Sequence, residues 1–531
     1  MIESRQKQTW LRGALYLSLA AFVVKLLSAV YKIPYQNITG DIGFYVYQQV
    51  YPLYGVVFVL GAYGFPLVIA KIVAANDGDK PGDLSYMMQR LTFLFLCLFF
   101  IHASLGIIII ATADGIAEMM GDAQLALAVR WMAAPFFLIP FLAIGRGAYQ
   151  GVGELIPTAI SQVAEQVIRV SVILVVAIWA MQGNNPYLAG TSAGIGASFG
   201  SLAGVTVLYV MWKKNRDIFL VKSFNWSLPN GWWKDLKTLL VAGTFVSISA
   251  MALIIFQLID SLMIFRLLES SGWSMAKAAI EKGVYDRGWP LIQFGAVITT
   301  VFSYAAIPHI ARAYEAGRLF DAKEEIRRSV KVCFVFGGAA AMGIVMIMPS
   351  LNKMMFTDYQ GTMTLQLITS VVFFGAIFMT VAGLLHAVGK AVVSVYILIG
   401  GILLKISFNF AFIPAYGIFG AALASVMPFV IMALVSLGVL IRLSLWKPES
   451  FHFWWKWLLS LFGMIVFLSI YQAGMERLLP NGRGAEAILS LSSASLGAAI
   501  YLWLIYYFRL FTKQEWDHLP KIGRWFPYRA K

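Results

Sequence analysis

Residues 146–169 read RGAYQGVGELIPTAISQVAEQVIR, and the pattern returns 236 positions later as AGLLHAVGKAVVSVYILIGGILLK, residues 382–405. The shift sets Gly147 on Gly383, Gln150 on His386, Val152-Gly153 on Val388-Gly389, Arg169 on Lys405 and Ser171 on Ser407. Each copy is a helix end, a Val-Gly turn beside a charge (Glu154, Lys390), then an apolar helix carrying a cation sixteen residues past the glycine. A common register held over this length marks an internal duplication.

The surrounding composition fixes the fold class. Hydrophobic residues make up 60% of the 531, charged residues 13%, and the mean hydropathy is +0.76, outside the soluble range. Many apolar runs approach the length that crosses a bilayer. Unpaired backbone groups are too costly in lipid, and the runs lack strict alternation, so the chain is an all-α polytopic membrane protein and not a barrel. Cys97 and Cys333 both lie in apolar runs and provide neither a disulfide framework nor metal-ligand spacing. Arg5 and Lys7 precede an apolar run that contains Lys25 and Lys32 and is followed by no small-residue cleavage site. It reads as a first transmembrane helix and not as a signal peptide.

Fourteen spans are expected, near 11–36, 45–72, 88–112, 125–146, 156–181, 187–212, 238–265, 288–311, 330–350, 363–387, 392–413, 417–441, 454–474 and 486–509. With the N-terminus in the cytoplasm, 29 Lys and Arg fall on the cytoplasmic side and seven in external connections. That bias satisfies the positive-inside rule and puts both termini in the cytoplasm. Trp232, Trp233, Trp454, Trp455, Trp457 and Trp525 fall at the cytoplasmic interface, where tryptophan is favoured. The net charge of +15 is then topological. It implies contact with anionic membrane lipids and not with nucleic acid.

The duplication covers the end of span 4 with span 5 and the end of span 10 with span 11, so the repeating unit is six helices. An even number preserves orientation, which makes the two halves parallel repeats. The expected plan is a six-helix lobe over 1–215, a cytoplasmic linker over 216–237, a second lobe over 238–445, two added helices over 446–512 and a basic tail over 513–531. Prolines inside spans, among them Pro52, Pro66, Pro135, Pro140, Pro308, Pro414 and Pro428, should bend or break their helices. Parallel lobes with bent helices suit transport by alternating access.

Charges inside spans are the candidate functional residues, because insertion scales place each at ~2.5–3.5 kcal/mol near the bilayer centre, so they face protein or water. Lys25 and Lys32 share a face of span 1 with Ser28. Arg169 and Lys405 fall near the midplane, and Arg130 is nearer the outer end of span 4. Lys32 and Arg130 are also within snorkelling reach of the outer headgroups. Glu165 precedes Arg169 by four, the favourable order for a helical ion pair, so it reads as a structural pair or as a partner that tunes a cavity cation. Asp260, one turn after Gln257, reads as an ion ligand, a partner for Lys25 or Lys32, or a member of a buried pair, with the partner role favoured. The excess of positive charge inside the spans calls for an anionic substrate.

Soluble-enzyme motifs are absent. Gly194, Gly196, Gly200 and Gly204 lie within span 6 and read as a helix-packing stripe, not as a phosphate loop. His102, His309 and His386 are isolated in sequence, as satisfied core or interfacial histidines would be. No cofactor is called for, and no nucleotide-binding domain is visible. Membrane potential or a Na+ or H+ gradient is the available drive.

The opening segment LYLSLAAFVVKLLSAVYKIPYQNITGDIGFYVYQQVYPLYGVVFVLGAYGFPLVIAKIVA, residues 15–74, has K-x6-K-x-P spacing with G-x-Y-x2-Q and GFP-x3-AK elements. It resembles the SpoVB and MurJ-like branch of the multidrug/oligosaccharidyl-lipid/polysaccharide exporter superfamily. The resemblance implies two six-helix lobes in a V around a central cavity, and flipping of an undecaprenyl-pyrophosphate-linked sugar. Lys25 and Lys32 match, by position, the functional basic residues of the MurJ first helix. An arginine of the second helix in Gram-negative MurJ falls near Val56 here, so that contact is missing. Spans 13 and 14 would form part of a groove for the lipid tail. The expected function is thus a flippase for a lipid-linked oligosaccharide of peptidoglycan, spore cortex or another envelope polymer, with envelope-synthesis proteins as possible partners. Lys25, Lys32, Arg169 and Lys405 would attract the pyrophosphate, Arg130 lies further out, and Arg266 and Arg287 would stand at the exit. A cation-coupled multidrug exporter of the same superfamily is the runner-up, but it would favour an acidic site. A membrane scaffold would tolerate neutralised cations, and a membrane-embedded glycosyltransferase would need a large outer loop bearing acids.

Overall fold

A computed structural model of the chain describes residues 2–75, 83–214, 228–512 and 515–516. Most of the basic linker, with Lys222, lies outside these, as does the tail beyond Trp516 with Trp525. The described residues are helical throughout. In order they form α1 (Ile2–Val30), α2 (Lys32–Val59), α3 (Phe65–Ala74), α4 (Asp83–Ala111), α5 (Ala113–Met119), α6 (Ala126–Ala133), α7 (Ile139–Gly151), α8 (Ile156–Gln182) and α9 (Pro186–Lys214). Then come α10 (Trp232–Ser270), α11 (Met275–Asp286), α12 (Gly288–Glu315), α13 (Leu319–Phe356), α14 (Thr362–Thr369), α15 (Val371–Ala387), α16 (Ala391–Arg442), α17 (Phe451–Leu478) and α18 (Arg483–Tyr507). Eleven segments among the described residues are long and apolar enough to cross a membrane. Two of them, Tyr16–Val56 and Ala391–Arg442, each contain a glycine that breaks the helix, Gly40 (φ 66, ψ −174) and Gly417 (φ 57, ψ −135).

These breaks and the prolines explain where helices interrupt. Gly417 lets the two halves of α16 fold back so closely that a Cβ on Gly420 would stand 2.1 Å from the Phe412 carbonyl oxygen. The expected span 4 is interrupted by a 3-10 turn, Ala134–Phe137, that contains Pro135 and leads into Pro140. Proline removes a donor from the helical ladder, and the tighter turn absorbs the loss.

The repeated stretch forms the same turn twice. After α7, Gly153 (φ +84) donates to Gln150 O at 3.2 Å and Glu154 N to Tyr149 O at 2.9 Å. After α15, Gly389 (φ +73) donates to His386 O at 3.1 Å and Lys390 N to Leu385 O at 2.7 Å. Both are left-handed glycine C-caps that satisfy the last carbonyls of one helix and aim the next. The register read from the sequence is therefore a register of backbone geometry.

The chain packs as two compact units, Met1–Asp286 and Arg287–Lys531. This boundary lies beyond the expected linker because α10 and α11 pack on the first unit. Gly55 of α2 accommodates Ile254 of α10, and a Cβ on Gly64 would stand 2.5 Å from the Gly243 carbonyl oxygen. Gln49 Nε2 donates to Ser261 O at 2.6 Å. Within this unit the glycine stripe of α9 packs α8 at backbone contact: a Cβ on Gly200 would meet Glu165 O at 2.7 Å, and one on Gly196 would meet Arg169 O at 2.9 Å.

In the second unit α17 and α18 are secured to α13 at both ends. Arg327 of α13 pairs with Glu449 before α17 and with Glu515 after α18, each at 2.7 Å, and Lys331 reaches Glu515 at 2.9 Å. At the other end of α13, Arg483 Nε donates to Met354 O at 2.8 Å and Nη2 to Met355 O at 3.3 Å. Between them Tyr501 Oη donates to Val335 O at 2.8 Å, and Gly338 makes room for the Trp457 ring.

Nothing lies within 4 Å of a Cβ added at Gly153 or Gly389, so alanine there costs only backbone strain, about 1–2 kcal/mol. Thermal unfolding of the purified chain should show similar modest losses for Gly153→Ala and Gly389→Ala. Gly420→Ala, which drives a methyl into the Phe412 carbonyl, should cost clearly more.

Candidate functional site

Four aromatic residues of α2, Tyr47, Tyr51, Tyr54 and Phe58, recur at helical spacing and form one stripe. Ring centroids lie 5.7 Å apart for Tyr47–Tyr51, 6.5 Å for Tyr51–Tyr54 and 5.3 Å for Tyr54–Phe58. Tyr31 and Tyr35, from the turns either side of the α2 start, join the first ring: Tyr31 Oη is hydrogen-bonded to Tyr47 Oη, and Tyr35 packs on Tyr47 at 4.8 Å. Two of the expected cations lie on this stripe. Lys32 Nζ sits 4.8 Å from the Tyr51 ring. Arg169 donates to Tyr54 Oη at 2.6 Å, and its guanidinium lies over the Tyr54 and Phe58 rings at 5.2 and 4.7 Å.

At the Arg169 end, one carboxylate serves two guanidinium groups. Glu165 accepts from Arg169 on its own helix and from Arg146 of α7 at 2.6 Å. All three side chains are buried. The close α8–α9 contact at Gly200 excludes bulk from beside the Glu165–Arg169 turn. Arg146 also donates to Ser161 Oγ at 2.9 Å, and Ser161 donates to Gly204 O at 3.1 Å. Two cations against one acid leave this cluster one positive charge in excess. Arg146 Nη1 and Arg169 Nε have no hydrogen-bond acceptor among the described residues. Guanidinium N–H groups in that state suit a multivalent oxyanion.

At the Lys32 end the charges balance. Lys282 of α11 donates to both Asp286 carboxylate oxygens at 2.6 Å, and Tyr285 Oη donates to Asp260 Oδ2 at 2.6 Å. Lys32 and Asp260 both act electrostatically on Asp286. Gly283 brings α11 this close, since a Cβ there would stand 2.2 Å from the Asp41 carbonyl oxygen. Burial pushes the Asp286 carboxyl up to about 6, and the Lys282 ammonium offsets that only in part. Helix α11 has 12 residues, too few to span a bilayer.

The other expected residues fall elsewhere. Lys25 is half-buried on α1. Gln257 is buried on α10 in the turn that carries Asp260 and Ser261, and its backbone oxygen accepts from Ser261 Oγ at 2.9 Å. Lys405 is fully buried in the second unit and donates to Ser425 Oγ across the α16 break at 2.7 Å. Arg266 is exposed near the end of α10. Arg130 is exposed and paired with Asp114 at 2.6 Å. Arg287 is fully buried against Asp358 at 2.7 and 3.0 Å and over Phe356 at 5.3 Å. Lys32 does not snorkel: its side chain is 1% exposed because the Tyr51 face and the α11 acid hold it inside. Of the isolated histidines, His102 is buried and bonded to Leu98 O at 2.7 Å.

Fold and site together define a polytopic helical membrane protein with a charged, tyrosine-lined interior in its first unit. The chain belongs to the polysaccharide biosynthesis protein family, which matches residues 10–314. In Bacillus subtilis (strain 168) it is 34% identical over 522 residues to the uncharacterized membrane protein YabM, covering 97% of this chain and 96% of the relative. Stage V sporulation protein B of the same organism is 25% identical over 536 residues, covering 98% and 99%. Its lipid II flippase MurJ is 22% identical over 541 residues, covering 97% and 98%. A solved structure of lipid II flippase MurJ in an inward closed conformation matches with a TM-score of 0.69 at 12% identity, over 93% of this chain and 99% of that one.

Two measurements test this site. Glu165→Gln leaves two buried guanidinium groups without a carboxylate, a loss of ~3–5 kcal/mol, and adding Arg146→Gln should recover part of it; thermal unfolding in detergent reads both. A carboxyl raised in the folded state adds stability that is fully present below its unfolded value and lost as pH rises through about 6. The wild type should therefore lose stability relative to Asp286→Asn between pH 5 and 7, and parallel profiles would exclude this assignment.

Proposed function

We propose that the protein flips a polyprenyl-pyrophosphate-linked saccharide, a precursor of peptidoglycan, spore cortex or another envelope polymer, from the inner to the outer leaflet of a bacterial plasma membrane by alternating access. The observation that carries this reading is the unbalanced charge of the Arg146–Glu165–Arg169 cluster beside a stripe of tyrosines. A pyrophosphate offers several oxygen acceptors in a compact group, and arginine meets such groups with paired N–H donors. Sugar rings present C–H faces that stack on aromatic rings, so a headgroup of pyrophosphate and sugar matches both halves of the stripe. The lipid II flippase MurJ relative supports a lipid-linked substrate, and the Stage V sporulation protein B relative supports a role in sporulation.

In this mechanism Arg169 binds the pyrophosphate, Arg146 and Glu165 hold its guanidinium in place, and Lys25 of α1 and Lys32 at the start of α2 extend the attraction. Lys405 is the repeat counterpart of Arg169. Arg130 and Arg287, committed to Asp114 and Asp358, act as structural residues. No covalent step is required. The lobes change which leaflet the site faces, and membrane potential or a Na+ or H+ gradient drives the cycle.

The test is flipping of a fluorescent lipid-linked precursor in proteoliposomes of matched protein content. Lys25→Ala and Arg169→Ala should each lower the initial rate at least about tenfold, the equivalent of one ~1.4 kcal/mol contact, while Arg130→Ala leaves it near wild type. Normal flipping by both of the first two variants would remove the cationic mechanism. A wild type that moves no lipid-linked precursor but exports cationic dyes would instead be a cation-coupled multidrug exporter.

A further inference from the structure

On the lipid-facing side of the first unit, α4, α7 and α9 enclose an apolar groove of about 320 Å³. Gly145 and Ala148 of α7 leave the space. One side is formed by the Phe95–Phe141 pair, with ring centroids 4.8 Å apart, and the other by Tyr209 and Trp212 at 6.2 Å. Phe141, Tyr209 and Trp212 are 41%, 50% and 41% exposed, so the groove opens outward. Its tyrosine–tryptophan side ends in two consecutive exposed lysines: Lys213 Nζ sits 4.7 Å from the Tyr209 ring, and Lys214 follows as the last residue of α9.

We infer that this groove binds an anionic phospholipid of the leaflet that the basic loops face, one acyl chain lying along Ala148 and the phosphate meeting Lys213 and Lys214. The chain alone cannot give selectivity, because a lipid tail gains no hydrophobic free energy by leaving other tails. Selectivity comes from the head, where each lysine near the membrane surface contributes attraction for a negative lipid. Tryptophan and tyrosine at this depth are the side chains that prefer the interface, and they fix the groove's mouth at headgroup level. Gly145 and Ala148 belong to the helix that carries Arg146, so the bound chain packs on the back of the guanidinium cluster.

Native mass spectrometry of the full chain in detergent, titrated with phosphatidylglycerol and phosphatidylcholine of identical tails, tests the site. The first phosphatidylglycerol should bind ~10–30-fold more tightly than phosphatidylcholine, from two lysines at roughly a kilocalorie each. K213Q/K214Q, which changes only exposed side chains, should erase that preference, and Ala148→Phe, which fills the groove, should weaken retention of both lipids. Equal retention of the two lipids by the wild type would overturn the inference, as would a preference that survives K213Q/K214Q. Displacement of phosphatidylglycerol from the same site by an equimolar polyprenyl phosphate would show another occupant and would overturn it too.

Discussion

Glu165 accepts from two guanidinium groups at once in a setting without bulk water, and much of the first unit is shaped by that demand. Bringing Arg146 to the same carboxylate requires α7 to end and α8 to begin within four residues, which the left-handed Gly153 makes possible. It also requires α9 to approach α8 at backbone distance, which Gly196 and Gly200 permit. A buried ion cluster of this kind is a poor source of net stability and a good source of specificity in how helices register. Its remaining positive charge is a cost that the Ser161 and Tyr54 hydroxyls share without removing.

The duplication preserved the turn and not the chemistry. The C-cap geometry at Gly389 repeats that at Gly153, and the following helix carries a cation at the same position. Gly401 stands where Glu165 stands, and a Cβ there would already meet Met432. Lys405 instead donates to the Ser425 hydroxyl. The first unit presents a branched, delocalised cation fixed by an acid, the second a point charge held by an alcohol.

The architecture was legible because lipid leaves few options. Run length and the repeat register anticipated the helices and the paired turns at Gly153 and Gly389. The broken spans were also visible, in Pro135 and Pro414, although the breaks fall at a 3-10 turn and at Gly417. What sequence could not show was direction. Arg146 read as part of a cytoplasmic helix end, whereas its side chain folds back along α8 to Glu165. Lys282 and Asp286 lie in the connection between the expected spans 7 and 8, yet Gly283 draws α11 inward and both are buried. The aromatic stripe of α2 was present in the spacing of Tyr47, Tyr51 and Tyr54, but spacing does not tell which neighbour a face meets. Arg130 and Arg287 went the other way, because their partners Asp114 and Asp358 lie in connections that composition does not pair.

The double attachment of α17 and α18 to α13 has a mechanical consequence. Arg327 and Lys331 hold the chain just before and just after the hairpin, and Arg483 caps the far end of α13, so all three helices translate and rotate as one body. The appended pair is thus cargo welded to a lever arm: any excursion of α13 is delivered in full to the outer surface of the hairpin. A chain shortened before residue 449 would also strand Arg327 and Lys331 without Glu449 and Glu515, so the pair has become a structural debt that evolution cannot easily cancel.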